Sequence, residues 1–205
     1  LRSASAPLPP QLSEHLERRF VAPMIEVYGM TESYQIAANP LPPGERRRGS
    51  VGLATGTQIA VLDPSGQVRP HGEGEVLVKG AALFEGYSVP SEANDDAFIG
   101  SWFRTGDIGR VDEEGYLFIT GRVKDQINRA GEKISPREVE EAILDHPDVV
   151  DALVFGVTDE MLGEDVACAV VTASGAPLEP SDLRAHLGPR LASFKVPRQV
   201  VSVKE

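Results

Sequence analysis

The chain has 205 residues, 41% of them hydrophobic, and a formal net charge of −11 at pH 7. Its length and apolar content suffice to bury a core in one large domain or two small ones. The acidic balance argues against binding to nucleic acids or anionic lipids, whose phosphates repel negative charge, and no apolar run is long enough for membrane insertion.

The first part of the chain is predicted to contain one helix followed mainly by β-strands. Apolar residues recur at helical spacing between Gln11 and Phe20. The stretch MIEVYGMTES predicts a short strand that runs into a glycine turn, and the pattern from Gly44 to Gly80 is all-β. A further pair of strands, WFRTGDIGRVD and GYLFITGR, is predicted on either side of a turn at residues 112–115.

The pattern changes after Arg122 to alternating helices and strands. Residues 135–138 form a capping-box sequence with proline at the first helical position, which predicts a helix that ends at His146–Pro147. The apolar runs VVDALVFGV and DVACAVVTA predict buried strands. A second helix is expected from Pro180 towards Leu191, interrupted at Gly188–Pro189. The sequence therefore predicts a mixed α/β fold.

The single cysteine, Cys168, lies in an apolar run and is predicted to be a small buried hydrophobic residue rather than a catalytic thiol. One cysteine allows no intrachain disulfide, which indicates a reducing compartment. Since no signal peptide is recognisable, we expect a cytoplasmic protein. The chain begins without Met and ends abruptly at VVSVKE, so we also expect it to be a piece of a longer protein.

The stretch YGMTE, residues 28–32, is the first of three polar clusters expected at strand ends, where α/β folds usually bind ligands. Its glycine would let the backbone approach a ligand, and Thr31 offers a hydroxyl to a phosphate oxygen. Glu32 could hold a hard divalent cation, and the ring of Tyr28 could stack on a base. A plain glycine turn with an N-cap threonine is the alternative interpretation.

The second cluster is RTGD, residues 104–107, and the third is Gly121-Arg122 with Lys124. A carboxylate held after a Thr-Gly turn, as at Asp107, suits hydrogen bonds to both hydroxyls of a ribose. The two cations suit a ribose or phosphate contact. The alternatives are an Asx turn for the aspartate and a solvated charged loop for the cations.

Positive charge is concentrated in GRVKDQINRAGEKISPREVEEAI, residues 121–143, which holds five cations in an acidic chain. An anionic ligand of such a chain must be met by local positive charge of this kind. The other basic run, arginines 46–48, is predicted to be only a solvated turn. No spacing of His and Cys predicts a metal site, and the Walker-type phosphate loop is absent from this sequence.

Six motifs occur in one succession along the chain. They are SASAPLP, YGMTE, GEVLVKG, SWFRTGDIGRVDEEGYLFITGR, VKDQINRAGEKISPREVE and FKVP. In this order the chain resembles the C-terminal part of the ANL superfamily of adenylate-forming enzymes, which comprises acyl-CoA synthetases, firefly luciferase and peptide-synthetase adenylation domains. The stretches NPLPPGERRRGSVG and INRAGEKISP are most similar to acyl-CoA synthetases of the oxalate and fatty-acyl types.

The resemblance implies a fold and a reaction. Residues 1–123 would be the end of a large, β-rich domain that includes a β-barrel-like subdomain, and residues 124–205 a small α/β lid domain, truncated before its catalytic-lysine segment. Such an AMP-forming ligase uses ATP and Mg²⁺ to convert a carboxylic acid to acyl-AMP. The thiol of coenzyme A then displaces AMP.

The resemblance also implies roles for individual residues. Thr31 would contact the α-phosphate, and Glu32 would ligate Mg²⁺. Asp107 and Arg122 would hold the ribose hydroxyls, and Tyr28 would stack on adenine. The full set of implied ATP- and CoA-binding positions is Ala6, Pro7, Tyr28, Gly29, Met30, Thr31, Asp107, Arg122, Lys124, Gly131 and Glu132.

Four of these positions have further implied roles. Ala6 and Pro7 would line the adenine and acyl pocket. Lys124 falls at the family's hinge, about which the lid rotates between adenylation and thioester formation. Gly131 and Glu132 fall in a lid loop that borders the pantetheine channel after this rotation.

The chain departs from the family in two respects. The phosphate-loop lysine would lie before Leu1, and the adenylation lysine of the lid would follow the last residues of this sequence. We therefore expect little or no adenylation activity from these 205 residues alone, with the missing N-terminal part of the same enzyme as a partner. The alternatives are an adenylation domain that loads a carrier-protein thiol, and a non-enzymatic module for nucleotide binding or protein interaction.

Overall fold

A computed structural model describes residues 1–5, 8, 10–90 and 92–203, with residues 10 and 11 described as backbone only. The chain divides into two compact units, Leu1–Thr120 and Gly121–Glu205. This division lies slightly before the boundary predicted after residue 123. Both units combine helices with sheets, so the predicted mixed α/β fold is confirmed. Within the described ranges, every helix is too short or too polar to traverse a bilayer.

Among its described residues, the first unit holds two sheets and two helices. Its helices are α1 (Pro10–Phe20) and α2 (Ala93–Ala97). Its strands are β1 (Arg2–Ser3), β2 (Ile25–Met30), β3 (Tyr34–Ala38), β4 (Leu53–Ala54), β5 (Gln58–Leu62), β6 (Val68–Arg69), β7 (Gly72–Lys79), β8 (Phe98–Ile99), β9 (Trp102–Val111) and β10 (Leu117–Arg122), the last of which runs on past the division.

The two sheets of the first unit share one apolar core. Strands β1 to β4 form a four-stranded sheet in chain order, and the second sheet has the order β10-β9-β7-β5-β6, with β8 paired to β9. Ile36 of the first sheet packs in one buried cluster with Val76, Phe103 and Leu117 of the second. Alternation of buried and half-buried residues along all ten positions of β9 places one face of that strand in this core.

The arginine run 46–48 is not the simple solvated turn that the sequence predicted. All three guanidinium groups form ion pairs with acids that are distant in the sequence. The pairs are Arg46 with Glu17, Arg47 with Asp112 and Glu114, and Arg48 with Glu14. The run therefore ties helix α1 and the β9–β10 turn to the same segment.

As far as residue 203, the second unit consists of a five-stranded sheet with two helices on its buried face. Its strands are β11 (Ile127–Arg129), β12 (Glu132–Ile134), β13 (Val149–Asp159), β14 (Gly163–Thr172) and β15 (Gln199–Ser202), and its helices are α3 (Pro136–Leu144) and α4 (Pro180–Leu187). Short 3₁₀ turns occupy Val123–Asp125 and Ser193–Lys195. The sheet order is β12-β11-β14-β13, and β15 pairs in parallel with β14.

Helix α3 begins at Pro136, as predicted, but without the predicted capping box. Ser135 is extended at the N-cap position and makes no side-chain capping hydrogen bond. The carboxylate of Glu138 instead accepts two hydrogen bonds from Lys195 Nζ, at 2.6 and 2.7 Å. Helix α4 ends at Leu187, directly before the Gly188–Pro189 pair that was expected to interrupt it.

The two long strands of the second unit differ in burial. Strand β14 is buried as predicted, and burial raises the pKa of Cys168 to about 11, so its sulfur is a neutral thiol and not a nucleophilic thiolate. The prediction that β13 is also buried is wrong, because Leu153 and Phe155 on its outer face are 61% and 39% exposed. Strand β13 is an edge strand that packs on the helices with one face only. The apolar run in its sequence does not indicate that the other face is open.

The core of the second unit offers a matched pair of leucines. Leu183 of α4 is 1% exposed and lies in the core cluster, whereas Leu153 is on the open face of β13. We expect Leu183→Ala to lower the free energy of unfolding by about 2–5 kcal/mol, since it removes buried methyl groups and leaves a cavity. Leu153→Ala should change it by no more than about 0.5 kcal/mol. Urea denaturation checks this, and equal losses would contradict the assigned core.

His186 of α4 has a pKa below its ordinary value, because burial disfavours the charged imidazolium and the charge of Arg190 adds to this effect. Its Nε2 lies 3.2 Å from the carbonyl oxygen of Ala142, a contact that acts in the opposite direction. The ring lies edge-on to His146, with 5.0 Å between centroids. The folded protein therefore resists protonation of His186 more than the unfolded chain does.

This resistance predicts a pH effect on stability. Below the ordinary histidine pKa of about 6.5 the unfolded chain binds the proton first, so the free energy of unfolding falls as the pH falls towards the lower folded-state pKa. His186→Gln, which keeps a polar group near Ala142, should lose less stability between neutral and mildly acidic pH. Urea midpoints of both proteins across this range measure the difference, and identical pH dependence would refute the assignment.

Candidate functional site

The YGMTE stretch forms the end of β2 and a tight turn into β3. Gly29 is required here, because a Cβ at this position would lie 2.1 Å from the carbonyl oxygen of Tyr34. After Met30 the turn is closed by a hydrogen bond from the Ser33 amide to the Met30 carbonyl, at 3.3 Å. Thr31 is exposed at the tip of the turn, while Tyr28 and Met30 pack against the core. The turn therefore exposes the Thr31 hydroxyl to solvent, while the residues before it are fixed in the core.

Glu32 is held in this turn through both its backbone and its side chain. The Phe84 amide donates to the Glu32 carbonyl, at 2.8 Å, and Tyr87 Oη donates to Glu32 Oε1, also at 2.8 Å. The side chain is half-buried and forms no ion pair with any cation in the described ranges. Its carboxylate is therefore oriented by a neutral donor and keeps its negative charge available.

The sequence predicted that Asp107 follows a Thr-Gly turn. The structure instead places Asp107 in a bulge inside β9. Arg104 pairs with Leu77 and Ile108 with Glu75, so four steps along β9 face two along β7. Gly106 has a φ of +72°, a left-handed conformation that favours glycine. A bulge of this kind bends the strand locally and redirects the side chains within it.

Hydrogen bonds fix the bulge on both sides of its glycine. Thr105 Oγ1 donates to the Val76 carbonyl at 2.9 Å and accepts from the Asp107 amide at 3.1 Å. The Gly106 amide donates to Glu75 Oε1 at 3.3 Å. Asp107 is only 6% exposed, so its carboxylate is held in a mostly dry environment.

The structure brings two of the predicted site residues into direct contact. Tyr28 Oη donates to Asp107 Oδ2 at 2.5 Å, across 79 positions of sequence. The hydroxyl thus orients the aspartate, while the half-buried ring of Tyr28 remains a flat apolar surface beside it. A ring and a carboxylate so placed are suited to bind a base and a sugar hydroxyl.

Arg122 and Lys124 belong to the second unit, where both side chains are exposed. Arg122 ends β10, and Lys124 is the middle residue of the 3₁₀ turn Val123–Asp125, so the predicted loop is an ordered turn. Lys124 forms no ion pair within the described part of the chain, so its charge can meet an anion.

Gly131 lies in the two-residue loop, Ala130 and Gly131, that joins β11 to β12, and Glu132 is the first residue of β12. Ala130 and Gly131 both have positive φ angles, 51° and 91°, which is the geometry of a type I′ turn. The hairpin is anchored to β14 by the ion pair of Arg129 Nε with Asp165 Oδ1, at 2.6 Å. Burial acts to raise the pKa of Asp165, but the hydrogen bonds from Arg129 and the Val166 amide, together with the charges of Arg129 and Arg198, outweigh it and lower the pKa. The exposed tip is therefore held on a rigid base.

Two of the predicted positions lie outside the described residues, and one residue of the site, Tyr87, was not predicted. Ala6 and Pro7 lie outside the described residues. The contacts of Tyr87 with Glu32 and with Asn94 were not predicted, because they join residues in different segments. The only local signal is the glycine before Tyr87, which indicates a backbone constraint but not its purpose.

Comparison with known proteins places the chain in a family. The family model described as AMP-binding enzyme matches residues 1–88, and the model described as AMP-binding enzyme C-terminal domain matches residues 138–205. The oxalate–CoA ligase of Arabidopsis thaliana is 44% identical over 98% of this chain and 40% of its own length. The sulfoacetate–CoA ligase of Cupriavidus necator is 41% identical over 100% of this chain and 41% of its own.

Solved structures agree with the sequence relatives. ATP-bound MatB from Rhodopseudomonas palustris has a TM-score of 0.91 and 36% identity, over 100% of this chain and 41% of its own. The o-succinylbenzoate CoA synthetase MenE from Bacillus subtilis, in complex with an acyl-adenylate intermediate, has a TM-score of 0.84 and 32% identity, over 100% and 42%. The chain thus spans about two fifths of the length of these relatives. It belongs to the AMP-binding enzymes of the adenylate-forming ANL superfamily.

Proposed function

We propose that this chain is part of an enzyme that activates a carboxylic acid with ATP and transfers the acyl group to coenzyme A. The observation that carries the proposal is the contact between Tyr28 and Asp107, beside a turn that presents Thr31 and Glu32. These residues offer an aromatic ring for adenine, a carboxylate for the ribose hydroxyls, a hydroxyl for a phosphate oxygen and a carboxylate for Mg²⁺. Together these groups suit the binding of ATP. The relatives named above as CoA ligases support the same reaction.

The reaction has two steps that conserve all atoms. An oxygen of the substrate carboxylate attacks the α-phosphorus of ATP, and the bond to pyrophosphate breaks to leave an acyl-adenylate. The sulfur of coenzyme A then loses its proton and attacks the acyl carbon, and AMP departs with the bonding electrons. Both steps depend mainly on positioning and on neutralising phosphate charge.

In the first step the residues of the first unit bind the nucleotide. The ring of Tyr28 stacks on adenine, and Asp107 accepts hydrogen bonds from the ribose hydroxyls. Thr31 donates its hydroxyl to the α-phosphate. Gly29 and Met30, on either side of the turn's start, belong to the same nucleotide-binding stretch, and the resemblance to the family assigns Ala6 and Pro7 to the adenine and acyl pocket. The Tyr28–Asp107 hydrogen bond would keep the base and ribose groups at a constant separation.

Glu32 is suited to Mg²⁺, which neutralises phosphate charge when it is bound. Mg²⁺ prefers carboxylate oxygens, keeps several waters, and is usually held by one or two carboxylates together with substrate phosphates. In the described part of the chain no group of three or more His, Cys, Asp or Glu side chains converges on a metal position. A single oriented carboxylate beside a phosphate-binding turn fits this mode of binding.

In the second step, exposed residues of the second unit reorient the lid and border the binding channel for coenzyme A. Lys124, in the 3₁₀ turn directly after β10, is the hinge residue about which the lid reorients. Gly131, in the loop between β11 and β12, and Glu132, at the start of β12, border the channel for the pantetheine arm. A glycine at the tip allows a thin ligand to pass close to the backbone.

Glu32→Gln in the full-length gene product tests the metal site. We expect ATP–pyrophosphate exchange to fall by about 10²–10³-fold, because the neutral amide loses the charge that holds the cation. Glu85→Gln removes an exposed carboxylate from the neighbouring loop and should leave the exchange rate unchanged. Retention of full exchange by Glu32→Gln would contradict the assignment.

Lys124→Pro in the same protein tests the hinge. Proline restricts φ at its own position and ψ at Val123, so the lid should be unable to adopt one of its two orientations. Because a misplacement of 1 Å can cost about 10²-fold in rate, one half-reaction should fall far more than the other. Pyrophosphate exchange and transfer from isolated acyl-adenylate measure the two halves.

Lys124→Ala separates the backbone from the side chain in this test. It removes the ammonium group and leaves the backbone free, so it should not reproduce the one-sided loss of Lys124→Pro. Equal loss of both half-reactions in the proline variant would argue against a hinge at this residue.

A further inference from the structure

We propose that Tyr87 is a positioning residue for Glu32, which orients its carboxylate towards the metal; this role rests on the function proposed above. Tyr87 Oη donates to Glu32 Oε1 at 2.8 Å. A glutamate side chain has three rotatable bonds, and a half-exposed one samples several rotamers. The tyrosine hydroxyl selects one of them and engages a single carboxylate oxygen, so that Oε2 is left to bind a cation.

The chemical nature of the donor favours this role over a purely structural one. Many carboxylates of the first unit are paired with arginine, as Glu17, Glu75 and Asp112 are. Glu32 has no such cation within the described ranges and receives a neutral hydroxyl instead. An arginine would neutralise the carboxylate and compete with a metal ion. A tyrosine orients it without removing its charge, as outer-shell partners of metal ligands do.

Tyr87 lies in a stretch without regular secondary structure, residues 81–90, and is nevertheless held firmly. The side chain of Asn94 in α2 binds both backbone groups of Tyr87: Oδ1 accepts from its amide at 2.7 Å, and Nδ2 donates to its carbonyl at 2.8 Å. Gly86 has a φ of +139°, and a Cβ there would lie 2.8 Å from Asn94 Oδ1. The asparagine and the glycine thus specify one backbone position for the tyrosine.

The ring of Tyr87 is fixed from a second direction by Phe84. The two rings meet edge to face with 4.8 Å between centroids, and Phe84 also packs on buried Phe103 at 5.2 Å. The amide of Phe84 holds the carbonyl of Glu32. Hence the same loop fixes the backbone and the carboxylate of Glu32, and connects both to the core of the unit.

The experiment compares two tyrosine-to-phenylalanine variants of the full-length gene product. Tyr87→Phe removes the hydroxyl that meets Glu32. Tyr116→Phe removes a matched hydroxyl that donates to the Glu45 carbonyl at 2.7 Å and does not contact Glu32. Mn²⁺ serves as the probe, with binding measured by electron paramagnetic resonance in the presence of a non-hydrolysable ATP analogue.

We expect Tyr87→Phe to raise the Kd for Mn²⁺ by about tenfold or more, as loss of an outer-shell partner typically does. Tyr116→Phe should leave this Kd unchanged. In ATP–pyrophosphate exchange, the deficit of Tyr87→Phe should be reversed by raising the Mg²⁺ concentration, because the variant retains Glu32 and lacks only its orientation. Thermal unfolding of both variants verifies that they remain folded.

Each outcome bears on the proposal in a definite way. An unchanged Kd for Mn²⁺ in Tyr87→Phe overturns it, and so does an equal rise in Tyr116→Phe, since that result would indicate a general effect of removing a buried hydroxyl. A wild-type protein that binds no Mn²⁺ with the nucleotide analogue refutes the proposed function itself. A wild type that binds the metal, with a Tyr87→Phe variant that binds it equally well, refutes only the role of Tyr87.

Discussion

The hydrogen bond between Tyr28 and Asp107 is the contact on which the arrangement of the first unit's candidate site depends. Tyr28 belongs to the four-stranded sheet and Asp107 to the six-stranded sheet, so the bond joins the two sheets where both carry polar groups. It requires the bulge in β9, which redirects the aspartate, and the bulge in turn requires the left-handed Gly106. One bond of 2.5 Å thus couples a strand, a bulge and a turn.

A second constraint is the separation of structural charges from charges that remain available. The arginines of residues 46–48 and Arg129 form ion pairs that tie distant segments together. In the described part of the cation-rich segment, Lys124 and Lys133 are exposed and form no ion pair. The concentration of positive charge that first suggested an anionic ligand is therefore partly structural, and only some of it can serve a phosphate.

The acidic residues can also be divided into those paired within the fold and those whose charge remains available. Asp165 forms ion pairs with two arginines, so its charge is neutralised within the fold. Glu32 has a neutral tyrosine as its donor, and Asp107 receives a hydrogen bond from another tyrosine. A tyrosine hydroxyl orients a carboxylate without cancelling its charge, and Glu32, which forms no ion pair within the described residues, is left able to bind a cation. For Glu32 the type of partner thus distinguishes a candidate binding group from the structural carboxylates.

The sequence by itself determined the mixed α/β fold, the positions of most strands, the start of α3 and the family, because periodicity, turn residues and motif order are local properties of the chain. It placed Asp107 after a Thr-Gly turn, expected a capping box at Ser135 and predicted that β13 is buried, and these three details were wrong. Each depends on which segment packs alongside. Tertiary structure alone decided that Tyr28 meets Asp107 and that Tyr87 meets Glu32, since hydrogen bonds across 79 and 55 positions leave no periodic signal in the sequence.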